Sequence, residues 1–317
     1  VYKRTKGSWS EQQKLTAGDA DGHDRFGRSV ALDGKTVIVG APGDDHDGHS
    51  DAGAAYAFTR SNGSWTQQQK FTSYNAADGD RFGTSVAVAG DAALVGAPDD
   101  DHGGDADAGS AYAYVRSGGS WSHQKHITAG AGAGASFGCS VAIDMGEPLT
   151  AAIGAMDDNP SGKKGAGTAY LYTRESGGWT QQTQLIAADA AASDSFGWDV
   201  ALDGDIAVVG AAFDYNAKGQ AGAAYVFERS DSAWSQADKF VASDGSGGDR
   251  FGYSVDIDGG EVVAGAPGDD FNGKQIAGAA YVFAKRDGTW SEKKKLTASD
   301  ARGEDHFGRA AAIDEAS

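Results

Sequence analysis

The dipeptide Phe-Gly returns at Phe26, Phe82, Phe137, Phe196, Phe251 and Phe307, at intervals of 55 to 59 residues. Tryptophan keeps the same step at Trp9, Trp65, Trp121, Trp179, Trp234 and Trp290, each followed by a polar stretch such as Thr66-Gln67-Gln68-Gln69. Two markers that share one period along the whole chain mean a tandem array of supersecondary units, and few folds accept one.

Each period holds four strand patterns, A to D. In the first they are Ser29-Val30-Ala31-Leu32, Thr36-Val37-Ile38-Val39, Ala54-Ala55-Tyr56-Ala57-Phe58 and Ser64 to Phe71. Asp33-Gly34 joins A to B and Ser61-Asn62-Gly63 joins C to D, both short hairpin signals in which glycine supplies positive φ. No helical period competes. A four-stranded meander cannot bury both faces alone, but meanders packed around an axis bury one another, so the expectation is an all-β propeller of four-stranded antiparallel blades. Strand A is small and rich in Ala, Val and Ser, as an innermost strand should be; strand D is polar, as expected at the rim. Full blades are expected over about 26–71, 82–127, 137–186, 196–241 and 251–296. Residues 1–15 match C and D while 307–317 match A, so both ends would share a composite closing blade without a strand B. That makes six blades in a single domain over 1–317, part of a longer chain, with seven blades as the alternative.

Composition agrees: 48 glycines and five prolines in 317 residues with 40% hydrophobic content suit many short elements around a core. No apolar run is long enough to span a bilayer, so no membrane insertion is expected. Any signal peptide lies outside this sequence. Cys139, the single cysteine, has no disulfide partner. A net charge of -18 argues against nucleic acid, which rewards clusters of lysine and arginine. The acid is mostly aspartate, which suits turns, metal loops and a high-salt habitat.

The repeats resemble the FG-GAP family, found in integrin α-subunit propellers and in bacterial and archaeal surface proteins. Phe-Gly supplies the first half of the signature. Gly40-Ala41-Pro42, Gly96-Ala97-Pro98 and Gly265-Ala266-Pro267 supply the second, with Gly154-Ala155-Met156 and Gly210-Ala211-Ala212 as degenerate copies. The resemblance covers nearly the whole chain. It implies an extracellular or cell-surface, non-catalytic, adhesive propeller, lectin-like in some members, that binds a glycan or a cell-surface or matrix protein. The integrin-type calcium loop DxDxDGxxD sits between A and B, where this chain has only Asp33-Gly34-Lys35 or Ala89-Gly90-Asp91, so that site does not carry over.

Acidic residues cluster elsewhere. In a meander the B–C and D–A connections share one face, here called the upper face, and both are rich in aspartate. Candidate divalent cation ligands, with Ca2+ as the cation, are Asp19, Asp21 and Asp24; Asp44, Asp45, Asp47 and Asp51; Asp99, Asp100 and Asp101; and Asp269 and Asp270. Calcium takes six to eight oxygen ligands, and alternating aspartates around a glycine turn offer them. The competing reading for the aspartate two residues before Phe-Gly, at Asp24, Asp80, Asp194, Asp249 and Asp305, is a turn cap that accepts a backbone N–H.

A second candidate surface is the mouth of the channel. The residue after each Phe-Gly varies while its neighbours repeat: Arg28, Thr84, Cys139, Trp198, Tyr253 and Arg309. Arg28, Trp198, Tyr253 and Arg309 are the candidate ligand-binding residues, with a sugar stacked on an aromatic ring; drift on a tolerant strand is the alternative. The repeated tryptophans of strand D read as blade-to-blade packing, and Tyr56, Tyr112, Tyr170, Tyr225 and Tyr281 as core. No catalytic constellation is found: neither G-x-S-x-G nor H-E-x-x-H occurs, and Asp287-Gly288-Thr289-Trp290 only faintly echoes a sialidase Asp-box. A binding or adhesion module is therefore expected. A polysaccharide hydrolase or lyase built on the upper aspartates, or a purely structural domain of a surface protein, are the alternatives.

Overall fold

The structure is a computed structural model, and it describes residues 1–175 and 178–314. Blade one comprises, after the outer pair β1 (Tyr2–Thr5) and β2 (Ser8–Glu11), strands β3 (Ser29–Asp33), β4 (Thr36–Ala41), β5 (Ala54–Ser61) and β6 (Ser64–Phe71). Blade two holds β7 (Ser85–Ala89), β8 (Ala92–Ala97), β9 (Ser110–Ser117) and β10 (Ser120–Ile127). Blade three holds β11 (Phe137–Asp144), β12 (Leu149–Ala155), β13 (Thr168–Glu175) and β14 (Gly178–Leu185). Blade four holds β15 (Phe196–Asp203), β16 (Ile206–Ala211), β17 (Ala223–Ser230) and β18 (Ala233–Phe240). Blade five holds β19 (Ser254–Asp258), β20 (Glu261–Ala266), β21 (Ala279–Arg286) and β22 (Thr289–Leu296). All five are antiparallel sheets in A-B-C-D order, and β1 and β2 form a sixth, two-stranded sheet.

Strand periodicity explains how one blade serves two seams. In blade one Val37, Val39, Tyr56 and Trp65 pack on one side with Val1, Leu15 and Phe26, while Ile38, Ala55, Ala57 and Phe71 pack on the other with Phe82, Val88 and Trp121 of blade two. Strand B lies mid-blade, covered on both sides, so every residue of β4 and β8 is buried. The tryptophans do fill these seams: Trp121 stands edge-on to Phe71 of the preceding blade at 5.8 Å. Gln69 of blade one adds two hydrogen bonds to the Trp121 backbone, at 3.0 and 3.1 Å, as an extra strand would.

The ring has six sectors. The innermost strands are linked by a staggered rule: an acidic side chain on one strand accepts the amide one step further along the next. Asp33 accepts from Gly90, Asp199 from Val255 and Asp203 from Gly259. Asp256 accepts from Ile313 at 2.8 Å in the same way, so the segment after Phe307 occupies the sixth inner position, and seven blades are not what forms. This segment has no ladder partner among the described residues; residues 315–317 of the expected closing strand lie outside them. With no strand B in the sixth sector among the described residues, strand A of blade one is bare on the flank that faces it. Val30 and Leu32 are 62% and 61% exposed, against 8% and 9% for Val86 and Val88 of blade two. Trp9 is likewise 68% exposed where Trp65 is 5%.

Candidate functional site

Each Phe-Gly occupies the middle of a tight turn. The amide of Arg28 donates to the carbonyl of Arg25, Trp198 to Ser195, and Arg309 to His306, at 3.0 to 3.1 Å. Glycine follows phenylalanine because the third turn residue has φ between 80° and 92°, as at Gly27, Gly197 and Gly252, a conformation that a type II turn gives to glycine. Phenylalanine enters the blade and meets the strand C tyrosine edge-on, as Phe82 does Tyr112 at 5.2 Å. The next residue is then delivered to the channel mouth. Arg28, Thr84, Cys139, Trp198, Tyr253 and Arg309, one from every sector, line a single cavity of about 600 Å³. This brings all four candidate ligand-binding residues into one funnel.

The funnel is asymmetric. Along one wall the Trp198 ring lies 5.3 Å from Phe213 and 5.0 Å from Tyr253. Guanidinium groups close both ends of this arc, Arg250 at 5.5 Å from the Phe213 ring and Arg309 at 5.6 Å from the Tyr253 ring. Arg81 pairs with Asp99 at 2.9 Å. Asp199 accepts from the Ser140 hydroxyl and the Val255 amide, both at 2.8 Å. Burial nevertheless pushes its carboxyl up to about 6. Burial also pushes the Cys139 thiol up to about 12, so it stays protonated and a poor nucleophile.

The acidic loops do share the upper face, and they interlock: Gly43 donates to the Asp24 carbonyl within a sector, and Phe82 donates to Ala52 across to the next. Their aspartates fall into three sets. The aspartates before Phe-Gly cap turns: Asp24 accepts from the Asp21 amide, Asp80 from Ala77, Asp194 from Ala191, Asp249 from Ser246 and Asp305 from Arg302, at 2.6 to 2.7 Å. Asp45, Asp101 and Asp270 close the tips of the B–C loops by accepting the amides of Asp51, Asp107 and Ile276 at 2.8 Å. Asp47 and Asp51 are exposed at the first tip with φ of 54° and 49°.

The third set is buried. Asp44 accepts from the Tyr56 hydroxyl at 2.7 Å and from the Lys70 ammonium at 2.9 Å, and the same ammonium reaches Asp19 at 2.7 Å. Blade four repeats this with Asp214, Tyr225, Lys239 and Asp189, and blade five with Asp269, Tyr281, Lys295 and Asp244. Strand register creates the box, because Tyr56 is paired with Lys70 across the C–D ladder. Burial would raise Asp19, yet the hydrogen bonds from Lys70 and Tyr56 and the Lys70 charge hold it below the usual carboxylate range. Blade two substitutes His126 for the lysine and Asn75 for the outer aspartate, with Asp100 bound to Tyr112. Sequence reasoning placed these tyrosines in the core and passed over the lysines, although Lys70, Lys239 and Lys295 recur one residue before the end of strand D. Among the described residues no group of three or more His, Cys, Asp or Glu side chains is gathered as a metal set. The A–B hairpins of blades one, two, four and five leave two residues at the turn, as with Gly34 and Lys35 between the paired Asp33 and Thr36, too few for the integrin-type loop, and blade three has Met145-Gly146-Glu147-Pro148 there, without an aspartate.

Among the described residues no helix is long and apolar enough to cross a membrane. Comparison with family models finds the FG-GAP repeat at residues 9–58, 65–114, 121–172, 179–227, 234–283 and 290–316, six copies that cover most of the chain. No curated protein matches the sequence.

Proposed function

The chain belongs to the FG-GAP repeat family, and from that premise we propose that it is a non-catalytic binding module, acting outside the cell, whose ligand enters the central funnel at the Phe-Gly end. One observation carries this reading: the position that varies from repeat to repeat is also the position that all six sectors present to one cavity. Repeats under a common packing constraint keep their seam residues alike, and the funnel is where unlike side chains meet. A volume of about 600 Å³ with a few convergent polar groups is within the range of small-molecule and glycan sites. The Trp198 and Tyr253 rings, tilted by 51° to each other, offer aromatic faces of the kind on which a sugar ring stacks, and a glycan or a side chain of a surface or matrix protein fits that chemistry.

The groups that catalysis would need are engaged. Both Asp199 oxygens hold structural donors, Asp99 is tied to Arg81, and the Cys139 thiol donates to the Gly197 carbonyl. Binding on a glycan array should be lost in Trp198→Ala and Tyr253→Ala variants whose circular dichroism and thermal midpoint match the parent. Retained binding in both variants, or turnover of a polysaccharide by the parent, would sink the reading.

A further inference from the structure

We infer that the funnel selects an acidic saccharide, with a sugar face against Trp198 and Tyr253 and its carboxylate or sulfate held by Arg28 and Arg309. This rests on the funnel being the binding site and goes further, to the charge of what it takes. The chain carries 45 acidic residues against 27 basic ones, so by composition alone a cavity wall should be acidic. This one is not. Its charged lining residues are three arginines and two aspartates. Arg81 and Asp99 neutralise each other at 2.9 Å, and Asp199 is turned to Ser140 and Val255. That leaves Arg28 and Arg309, from sectors adjacent across the closing seam. The Arg28 guanidinium has no hydrogen bond or ion pair among the described residues, and Arg309 has only the face of Tyr253. Both are exposed.

An arginine that lies over an aromatic ring is oriented without spending its N–H groups, which stay available for an oxyanion. Arg309, oriented in this way over Tyr253, and the unpaired Arg28 beside the same aromatic wall match a ring that carries a carboxylate or sulfate: the stacking is indifferent to charge, and the guanidinium pair is not. A neutral sugar would leave both arginines solvated and unused. A nucleic acid would meet the same chemistry at the funnel but a net charge of -18 around it, which opposes a polyanion larger than the cavity.

The experiment is calorimetric titration of the whole chain with tetragalacturonate, a glucuronate-containing tetrasaccharide, a sulfated tetrasaccharide, the methyl ester of tetragalacturonate and neutral cellotetraose. At least one acidic probe should bind about tenfold or more tightly than the ester and the neutral sugar. That preference should vanish in Arg28→Gln and Arg309→Gln and persist in Lys35→Gln at the opposite end of the channel. Equal binding of acid and ester, or an acid preference untouched by both arginine variants, overturns this inference while Trp198-dependent binding keeps the funnel reading intact. If no acidic probe binds but cellotetraose does, the inference falls alone; if a bound saccharide ignores both Trp198→Ala and Tyr253→Ala, both fall.

Discussion

The carbonyl oxygen of Gly83 lies 2.0 Å from the point where a Cβ on Gly40 would stand. The first glycine belongs to a Phe-Gly turn and the second to the Gly-Ala-Pro of the preceding blade, so the two halves of the signature are one contact across a seam. The same closeness holds for Gly96 with Gly138, Gly154 with Gly197, and Gly210 with Gly252. The Ser29 hydroxyl donates to that Gly83 carbonyl at 2.9 Å, and Ser85 and Ser254 repeat the bond at their seams.

A Gly210→Ala substitution must therefore move backbone, since what it meets is the Gly252 carbonyl and not a flexible side chain. We expect a loss of at least about 3 kcal/mol in urea unfolding, because overpacking is relieved only by opening the seam. Gly22→Ala, which meets nothing within 4 Å, should stay within about 0.5 kcal/mol of the parent. Equal costs at the two sites would disprove the seam argument.

Lys239 is the cation of its box, and Asp214 beneath it is 2% exposed. Lys239→Met should cost about 3 kcal/mol, the scale for stripping the partner from a buried carboxylate, and adding Asp214→Asn should recover part of that. The third repeat shows the change made from both sides: Gln184 and Gly130 stand where the lysine and outer aspartate would be, and its remaining Asp158 is less buried. A denaturation cycle over the two single variants and the double measures the coupling; additive losses would mean that the contact is incidental.

The repeat period exposed the blades because the same seam contact recurs from one blade to the next, five times in all. Strands were legible to within a few residues, as with Ser64 to Phe71, and so were the shared face of the acidic loops and the ring of residues after Phe-Gly. The fate of the aspartates was not legible. Asp44 and Asp45 are neighbours, yet one is buried against Tyr56 and Lys70 and the other closes an exposed loop onto Asp51. Nothing in their spacing separates these roles; the C–D register does, by setting Lys70 beside Tyr56. The glycine pairing across seams was also hidden, because Gly40 and Gly83 are far apart in sequence and only the packing of one blade on the next unites them.

Stability should peak in mildly acidic solution. Burial pushes Asp80 and Asp199 up to about 6, with the charges of Asp100 and Asp101 adding at Asp80. Their folded forms bind a proton more tightly than the unfolded chain, whose aspartates titrate near about 3.9, so stability rises as pH falls from about 7 toward about 4. At Asp189 and Asp244 burial acts upward, but the hydrogen bonds and charge of Lys239 and Lys295 outweigh it and hold both below the usual range. Their contribution is present above about pH 4 and disappears as pH falls through the folded values. Thermal midpoints across pH should therefore rise from neutral to about pH 5 and then fall, and Asp199→Asn should flatten the first arm. A midpoint that declines steadily from neutral pH downward would contradict this assignment.

Calcium removal tests what neutralises the upper face. Lys70, Lys239 and Lys295 place a fixed ammonium against Asp44, Asp214 and Asp269. At Asp100, Asp214 and Asp269 the second carboxylate oxygen has no hydrogen-bond donor among the described residues, which leaves one ligand atom per box where calcium needs six to eight. One oxygen suits a buried water. A calcium site with a dissociation constant near about 1 μM would add about 4 kcal/mol at about 1 mM calcium. We expect instead that chelation, or addition of millimolar calcium, leaves the thermal midpoint within about 1 °C, because the lysines already supply the charge. A calcium-dependent rise of several degrees, abolished by Asp45→Asn or Asp101→Asn at the loop tips, would mean that the exposed carboxylates assemble a site with the orphaned oxygens after all.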